Sequence, residues 1–355
     1  MIRYITPSVE HTVKLERRCP HCHRTGSNIH TAVYSRAISD VKVTAVRQRR
    51  MRCPFCKTTW TIRSEGVSDG RQRSDRLMAL GVVLYMFGLS YRSVAKFLPL
   101  LDCPGSKSSI ERDVAAAGRK ARQLHASAPR VRVRVLGVDG TGARLAGNKA
   151  GLLFFVDVDK SRLIAVEPVS ESDSGELRRH VQKVMLAVGA EELRTDELSV
   201  YDRVMPAGSR TICLTHWRKS KCRRAGQLYR QLKGEGMLYE ADQMQQLLKY
   251  LRMEPRPPTV PDEVSRMGRR FINCRRGLLW KVNQLLQHIE RTWMDVSSDP
   301  VETTNNATER VIGLSYKIRA KTARGFKNMT KVLNHCYLSE YLRGAEGSCD
   351  LRKVV

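Results

Sequence analysis

A chain of 355 residues, 41% of them hydrophobic, is long enough for two or three small domains whose cores need no disulfide support. Its 63 Lys and Arg against 35 Asp and Glu leave a net charge of +28, a self-repulsion that points to a polyanionic partner, nucleic acid, rather than to a merely solubilising surface. A membrane is excluded as that partner: the longest apolar run, near Leu80 to Leu89, is too short to span, Gly81 and Gly88 interrupt it, and no export signal is visible, so a cytoplasmic, nucleoid-associated location is expected.

The first region, residues 1–66, is organised by cysteines. Four of the ten form two pairs, Cys19-Pro-His-Cys22 and Cys53-Pro-Phe-Cys56; Cys103, Cys213, Cys222, Cys274, Cys336 and Cys349 are scattered, as reduced thiols are. A two-residue gap lets both thiolates of one tight turn reach one ion, and two such turns complete a tetrahedron. The spacing predicts a zinc ribbon, with one structural zinc on Cys19, Cys22, Cys53 and Cys56 and with His21 and His23 as exposed neighbours. Such a metal supplies folding energy to a module too small for a core. Short β-like runs such as Ile38 to Val46 lie between the pairs, and the basic run Arg47 to Arg52 suggests that the ribbon touches phosphate.

Residues 72–126 read as helices. Leu77, Leu80, Val83, Leu84 and Phe87 recur at helical spacing, Ser90 caps a second helix after a turn at Gly88, and Ser106 caps a third. A helix-turn-helix would set that third helix in the major groove, with Lys107 and Arg112 as the contacts. A plain bundle is the alternative, with Val94, Ala95, Leu98, Ile110 and Val114 as its core. Through residue 130 there are 24 basic and 9 acidic residues, a net of +15, which favours DNA.

The texture changes at about Val131. A strand runs into Leu136-Gly-Val-Asp139, and Gly151 to Asp159 and Arg162 to Val169 form two more around a hairpin-like turn. Gly175 to Val188 is an amphipathic helix, Glu192 to Thr195 a short strand ending at Asp196, and Arg210 to Thr215 another strand. This order predicts a mixed sheet with helices packed on it, in which the first and fourth strands are neighbours. Helices follow over Lys221 to Lys233, Asp242 to Arg252 and, after a Pro-rich linker, Asp262 to Trp293; a last helical stretch starts at Asn306.

Three acids stand out. Asp139 ends an otherwise apolar strand, so it either caps the Gly140-Thr-Gly142 turn or holds a metal. Asp196 is either a helix N-cap or a ligand, and Glu309 either closes a capping box with Asn306 or does the same. Adjoining first and fourth strands would aim Asp139 and Asp196 at one spot, and a following helix can bring Glu309 beside them. Asp157 and Asp159 serve the hairpin turn, while Asp202 and Glu302 are second choices. Beside Glu309, Arg310, Lys317 and Lys321 form a basic stripe, with Arg319 and Arg324 in the same segment and Val311, Leu314 and Ile318 as the core stripe. His216 either contacts DNA or a neighbouring group, or packs at a strand end; Trp217 and Trp293 either stack on an unpaired base or fill the core.

This order of elements resembles the RNase H-like catalytic domain of the DDE transposases of bacterial insertion sequences. Thr304-Asn-Asn-Ala-Thr-Glu309-Arg310, with Lys317-Ile-Arg319 and Lys321-Thr-Ala-Arg-Gly325-Phe326, is similar to the third-acid signature; Asp196 with Tyr201 resembles the second-acid segment. Cys213-Leu-Thr-His216 is similar to an accessory CxxH element, and the 113 residues from Asp196 to Glu309 leave room for a helical insertion. The resemblance covers about residues 130–345. It implies a multidomain α+β and α/β chain: zinc ribbon over 1–66, helix-turn-helix bundle over 72–126, RNase H-like domain over 130–217 and 295–345, helical insertion over 218–294. It also implies two Mg²⁺ (or Mn²⁺) ions, Asp139 bridging both, Asp196 on one and Glu309 on the other, acting on element-end and target DNA within a homo-oligomeric synaptic complex. A regulator that keeps DNA binding but has lost catalysis, and a nuclease of the same fold without strand transfer, are the alternatives.

Overall fold

The computed structural model describes residues 2–10, 18–25, 29–129, 131–170, 173–197, 201, 210–254, 259–271, 273–296, 306–322, 325–344 and 347–355. In chain order, β1 (Arg3–Ile5), β2 (Ile29–Ala37), β3 (Ala45–Arg52) and β4 (Thr59–Ile62) precede the helices α1 (Asp75–Met86), α2 (Tyr91–Phe97) and α3 (Lys107–Ser127). The strands β5 (Val135–Leu145), β6 (Asn148–Asp157) and β7 (Arg162–Val169) are followed by α4 (Ser174–Val188), β8 (Glu192–Thr195) and β9 (Arg210–Ile212). Helices α5 (Leu214–Gly234), α6 (Leu238–Arg252), α7 (Asp262–Met267) and α8 (Arg276–Trp293) come next. The chain closes with α9 (Asn306–Ile312), a π-helical turn at Gly313–Lys317, α10 (Ile318–Thr322), α11 (Met329–Arg343) and β10 (Ser348–Asp350). Contacts divide the chain into two compact units, residues 1–128 with 314–355, and residues 129–313.

In the first unit, β2, β3 and β4 form an antiparallel sheet. The β-like run Ile38 to Val46 turns out to be mostly the connection between β2 and β3, which pair from Ala37 opposite Ala45. Its apolar side chains have another use: Ile38, Val43 and Val46 pack with Val67 into a small core. Asp40, on the same connection, accepts from the backbone N–H of Lys42 and Val43, from Ser74, which caps α1, and from Arg76. Burial opposes ionisation of Asp40, yet those donors hold its carboxyl below the usual range. The sheet module is thereby tied to the first helix.

Ser90 and Ser106 cap α2 and α3 as their positions predict, each hydroxyl accepting from the N–H three residues on. Val94, Leu98, Ile110 and Val114 are core, but their partners include Leu338, Leu342 and Leu351 from the far end of the chain. Phe87 lies just past the end of α1 and is 66% exposed; Tyr85 is buried instead. The contact of α3 with α11 is close at Gly118, where an added Cβ would stand 2.8 Å from Cβ and 3.0 Å from the carbonyl oxygen of Asn334.

One irregularity changes the reading of the last helices. The π turn inserts extra backbone into the ladder and shifts the helical phase. Val311 is buried, but Leu314 and Ile318, expected in the same core stripe, are 44% and 51% exposed. Ser315, Tyr316 and Arg319 take the buried positions.

The second unit is built on a five-stranded sheet in the order β7-β6-β5-β8-β9. β5, β6 and β7 pair antiparallel, whereas β8 runs parallel to both β5 and β9. The first and fourth strands of this sheet are therefore neighbours, as its element order predicts. Residues 151–157 of β6 are all buried, the sign of a strand covered on both faces. On one side Val181, Val184 and Met185 of α4 pack against Leu136, Val138, Leu153 and Phe155; α9 packs on β5 and β6. Helices α5 to α8 have their own core around Met244, Leu247, Phe271, Leu285 and Trp293. The chain leaves this helical block at Val296, which bridges to Ile212 at the β9 edge.

Two predictions follow from the first unit. Gly118→Ala forces α11 off α3 and should lower stability by about 1–3 kcal/mol, read as a fall in the denaturation midpoint. The second concerns His335, whose pKa burial pushes down to about 3, with the Arg319 charge adding to it. Below the ordinary histidine pKa of about 6.5 the unfolded chain takes up a proton that the folded one refuses, so stability is lost as pH falls from about 6.5 towards 3. Relative to His335→Gln, the wild type should lose about 1.4 kcal/mol per pH unit in that window, measured by urea denaturation.

Candidate metal and carboxylate sites

The two cysteine pairs fold into matching knuckles. In each, the N–H of the first cysteine bonds the carbonyl five residues on, Cys19 to Arg24 at 3.1 Å and Cys53 to Thr58 at 2.9 Å. In each, the residue four on, His23 or Lys57, takes a left-handed φ (56° and 60°) and donates its N–H back to the first cysteine's carbonyl. The result brings all four Sγ atoms within 4.8 Å of one another, with Cys19–Cys56 at 3.7 Å and Cys22–Cys53 at 3.6 Å. Tetrahedral zinc with Zn–S of about 2.3 Å requires sulfurs about 3.8 Å apart. The donor set fits a metal such as zinc. Hydrogen bonds from the Thr58 side chain and backbone pull Cys56 down to about 5, towards the thiolate that a metal needs. His21 and His23 are exposed and belong to no such group. All ten cysteines are free of disulfides.

The carboxylates are positioned by strand register. The parallel pairing of β5 with β8 sets Val135 beside Glu192 and Gly137 beside Arg194. Asp139 lies on β5 two residues beyond that last pair, and Asp196 directly follows the last residue of β8. Both are half-buried. The backbone at Asp196 is clamped: its carbonyl accepts from Thr195 Oγ1 and Arg210 Nη2, each at 2.8 Å, while Arg210 Nε reaches Thr195 Oγ1 at 3.0 Å. Arg210 also lies over the Tyr201 ring, 5.6 Å from its centroid. Burial, with the charges of Asp196 and then Asp139, raises the Tyr201 hydroxyl pKa, so one buried group senses both acids.

Glu309 arrives from α9. Its Oε1 lies 3.1 Å from Nε2 of His216. His216 is not at the end of a strand, because β9 stops at Ile212 and α5 starts at Leu214, setting the imidazole in the first helical turn three residues after Cys213. A hydrogen bond with Cys213, then the charges of Cys213, Asp139 and Glu309, push His216 up to about 9 against its partial burial. At neutral pH the imidazole is therefore charged, and Glu309 pairs with it. Asp139, which lies within β5 and not at its end, acts on both His216 and Tyr201, so these two groups link the three acids. Among the described residues, the four cysteines are the only group that gathers three or more ligand atoms within 4.8 Å. Asp139, Asp196 and Glu309 do not form such a group.

The cations divide. Lys107 and Arg112 are exposed on the first turns of α3, and Arg310 and Lys321 are exposed; Lys317 is half-buried. Arg319 is a correction: it is 8% exposed, donates to the carbonyls of Gly88 and Leu89 at 3.0 and 3.2 Å, and stacks 4.2 Å over the Tyr85 ring. Its guanidinium satisfies carbonyls of the turn that follows α1, and the shift of helical phase at the π turn accounts for its burial. Trp217 and Trp293 are fully buried and meet edge-to-face at 5.5 Å, so they are core and have no exposed face for a base. Asp157 serves its turn, accepting from the Lys160 N–H. Arg324, Asp202, Glu302, Thr304 and Asn305 lie outside the described residues.

Sequence reading missed one ion pair. Lys221 is 1% exposed and sits 2.6 Å from Glu197, beside His288. The signal was present: Trp217, Lys221, Ala225, Leu228 and Leu232 share the buried face of α5, and a lysine in that series requires an acid.

Purified protein should carry one zinc per chain, and chelation should melt the β2–β4 module while leaving most of the helical signal. Cys53→Ser should lose the metal. A chain that is metal-free after purification under reducing conditions with added zinc, or a Cys53→Ser variant that keeps its zinc by metal analysis, contradicts the assignment. Comparison with models of protein families gave no match, and comparison with curated proteins gave none either.

Proposed function

We propose that the chain is a metal-dependent DNA transposase of the DDE kind, with Asp139, Asp196 and Glu309 as its catalytic acids on an RNase H-like sheet. The observation that supports this reading most is the parallel pairing of β5 with β8, with Asp139 on β5 two residues past the last pair, Asp196 directly after β8, and Glu309 on a helix packed against β5. The strand order and the block of helices between β9 and Val296 support it, as does the net charge of +28.

Three carboxylates form a hard oxygen donor set suited to Mg²⁺ or Mn²⁺. When bound, such ions lower the pKa of a nucleophilic water or hydroxyl and stabilise the departing oxygen. The chain's own groups do the rest. The Thr195–Arg210 clamp holds Asp196 at the strand end, and His216 orients the Glu309 carboxylate from the side. Arg310, the residue after Glu309, offers charge to phosphate. Cleavage forms a bond from a water oxygen to phosphorus and breaks the 3′-oxygen bond; joining exchanges that 3′-hydroxyl for one in target DNA. Each step swaps one phosphate ester bond for another bond to oxygen, so no external energy source is needed.

A second reading is favoured by one observation. The three acids lie outside the separation that one ion's shell would need, and Glu309 is paired with His216. A DNA-binding regulator descended from a transposase would tolerate that arrangement.

The test uses a plasmid carrying the gene with its flanking DNA, incubated with Mg²⁺ or Mn²⁺. Wild type should cut at the element ends, and Asp139→Asn should lose about 1000-fold or more in cleavage, as loss of a group acting directly on the transition state does, while binding the same DNA in a mobility-shift assay. Binding without cleavage by the wild type selects the regulator. Near-wild-type cleavage by Asp139→Asn removes the site. Pre-cut ends that are never joined reduce the enzyme to a nuclease.

A further inference from the structure

Helix α8 has an outer face that no role above uses. Its inner face, Leu278, Val282, Leu285, Leu286, Ile289 and Trp293, is buried in the helical block. Opposite, Arg276, Trp280, Gln284, Gln287 and Arg291 are all exposed. At about 100° per residue they fall within about 80° of the helix circumference, and Trp280 to Arg291 spans about 16 Å. Trp280 is 64% exposed on a face that is otherwise cationic and amide. That is not a greasy stripe for lipid or for a helix partner. The stripe carries no carboxylate, as Glu290 lies to one side.

The end of the stripe leads back to the acids. Arg291 of α8 and Arg224 of α5 both act electrostatically on Lys221 and on His288, and Glu197 is the carboxylate among them. Glu197 directly follows Asp196. His288 of α8 lies 4.0 Å from the Glu197 carboxylate, so α8 reaches the residue next to Asp196.

We propose that Arg276, Trp280, Gln284, Gln287 and Arg291 form a track for one DNA strand leaving the acid site, with Trp280 stacked on an unpaired base and the arginines on phosphates. The inference rests on the transposase reading for the identity of the strand. Its chemistry is that of single-strand binding: cations follow the backbone, an aromatic face takes a base without regard to sequence, and carboxamides bond base edges.

The probe is a fluorescein-labelled, mixed-sequence 30-nucleotide DNA, single-stranded, bound to the full-length zinc-loaded protein without divalent metal. Anisotropy titrations over a salt series should show Trp280→Ala weakening binding by about fivefold or more, with Trp280→Phe recovering most of it. The double variant Arg276→Gln/Arg291→Gln should lower the salt slope by about 1.4, two phosphate contacts on a single strand. Photocrosslinking of a bromouracil-substituted strand should map to α8 in wild type and vanish from it in Trp280→Ala. Wild-type affinity and slope in these variants, or crosslinks confined to other segments, overturn the track. So does a change in sedimentation with unchanged DNA affinity, which makes the face a protein interface. Because binding is read without metal, absence of cleavage with an intact α8 crosslink sinks the transposase reading alone, and Asp139-dependent cleavage without that crosslink sinks the track alone.

Discussion

The parallel pairing of β5 with β8 is the constraint on which the second unit turns. Adjacent parallel strands need a crossover, and β6, β7 and α4 supply it, so residues nearly 60 positions apart end side by side. With Gly137 beside Arg194, the residues two further on are acids in both segments, Asp139 within β5 and Asp196 just past β8. A slip of one residue would turn one acid away, and the apolar alternation of β5 and β8 against α4 makes such a slip costly. The approach of the Asp139 and Asp196 segments is therefore set by core packing, not by attraction. Two carboxylates in half-buried surroundings repel, and the fold bears that repulsion with Arg210 and His216 close by.

Positive charge is handled in two ways, and both occur in each unit. Where arginine is buried it is matched to a defined acceptor: Arg319 to helix-end carbonyls, Arg194 to Glu192. Lys221 finds Glu197 in the same way. Much of the remaining surplus is displayed, on β3, on the first turns of α3 and along α8. The ribbon is the extreme case, since its own core is Ile38, Val43, Val46 and Val67. So few apolar side chains offset little of the entropy of ordering the module, and the four-cysteine cluster could add to that offset by holding a metal such as zinc.

Much of this was legible in the sequence, and the failures have physical causes. The cysteine spacing is local chemistry and needs no tertiary information. The strand order could be read because hairpin turns, alternation and an amphipathic helix are all short-range signals. Asp139 reads in the sequence as the last residue of its strand, but β5 runs on to Leu145, because Gly140 to Leu145 pair with β6; the mutual placement of Asp139, Asp196 and Glu309 depends on register and on where α9 packs. The core stripe Val311, Leu314 and Ile318 failed because periodicity arguments assume an unbroken α-helix, and a π turn leaves no clear mark in composition. Arg319 looked like surface for the same reason. The helical start at Leu214 was hidden by Cys213, which stands at the cap position without making a side-chain capping bond.

The pairing of β1 with β10, and of α3 with α11, carries a consequence for synthesis. Residues 129–313 form a unit from one uninterrupted stretch, so that unit can fold as soon as it clears the ribosome. The other unit cannot, since Leu77, Val94 and Ile110 wait for Leu338, Leu342 and Leu351, more than two hundred residues later. Its loops close last and over the longest separation in the chain. Until then the basic N-terminal segment is an incomplete fold with exposed apolar surface, beside messenger and ribosomal RNA that its charge attracts. A nascent chain of this design depends on timing: the late arrival of α11 converts a sticky polycation into a structured unit.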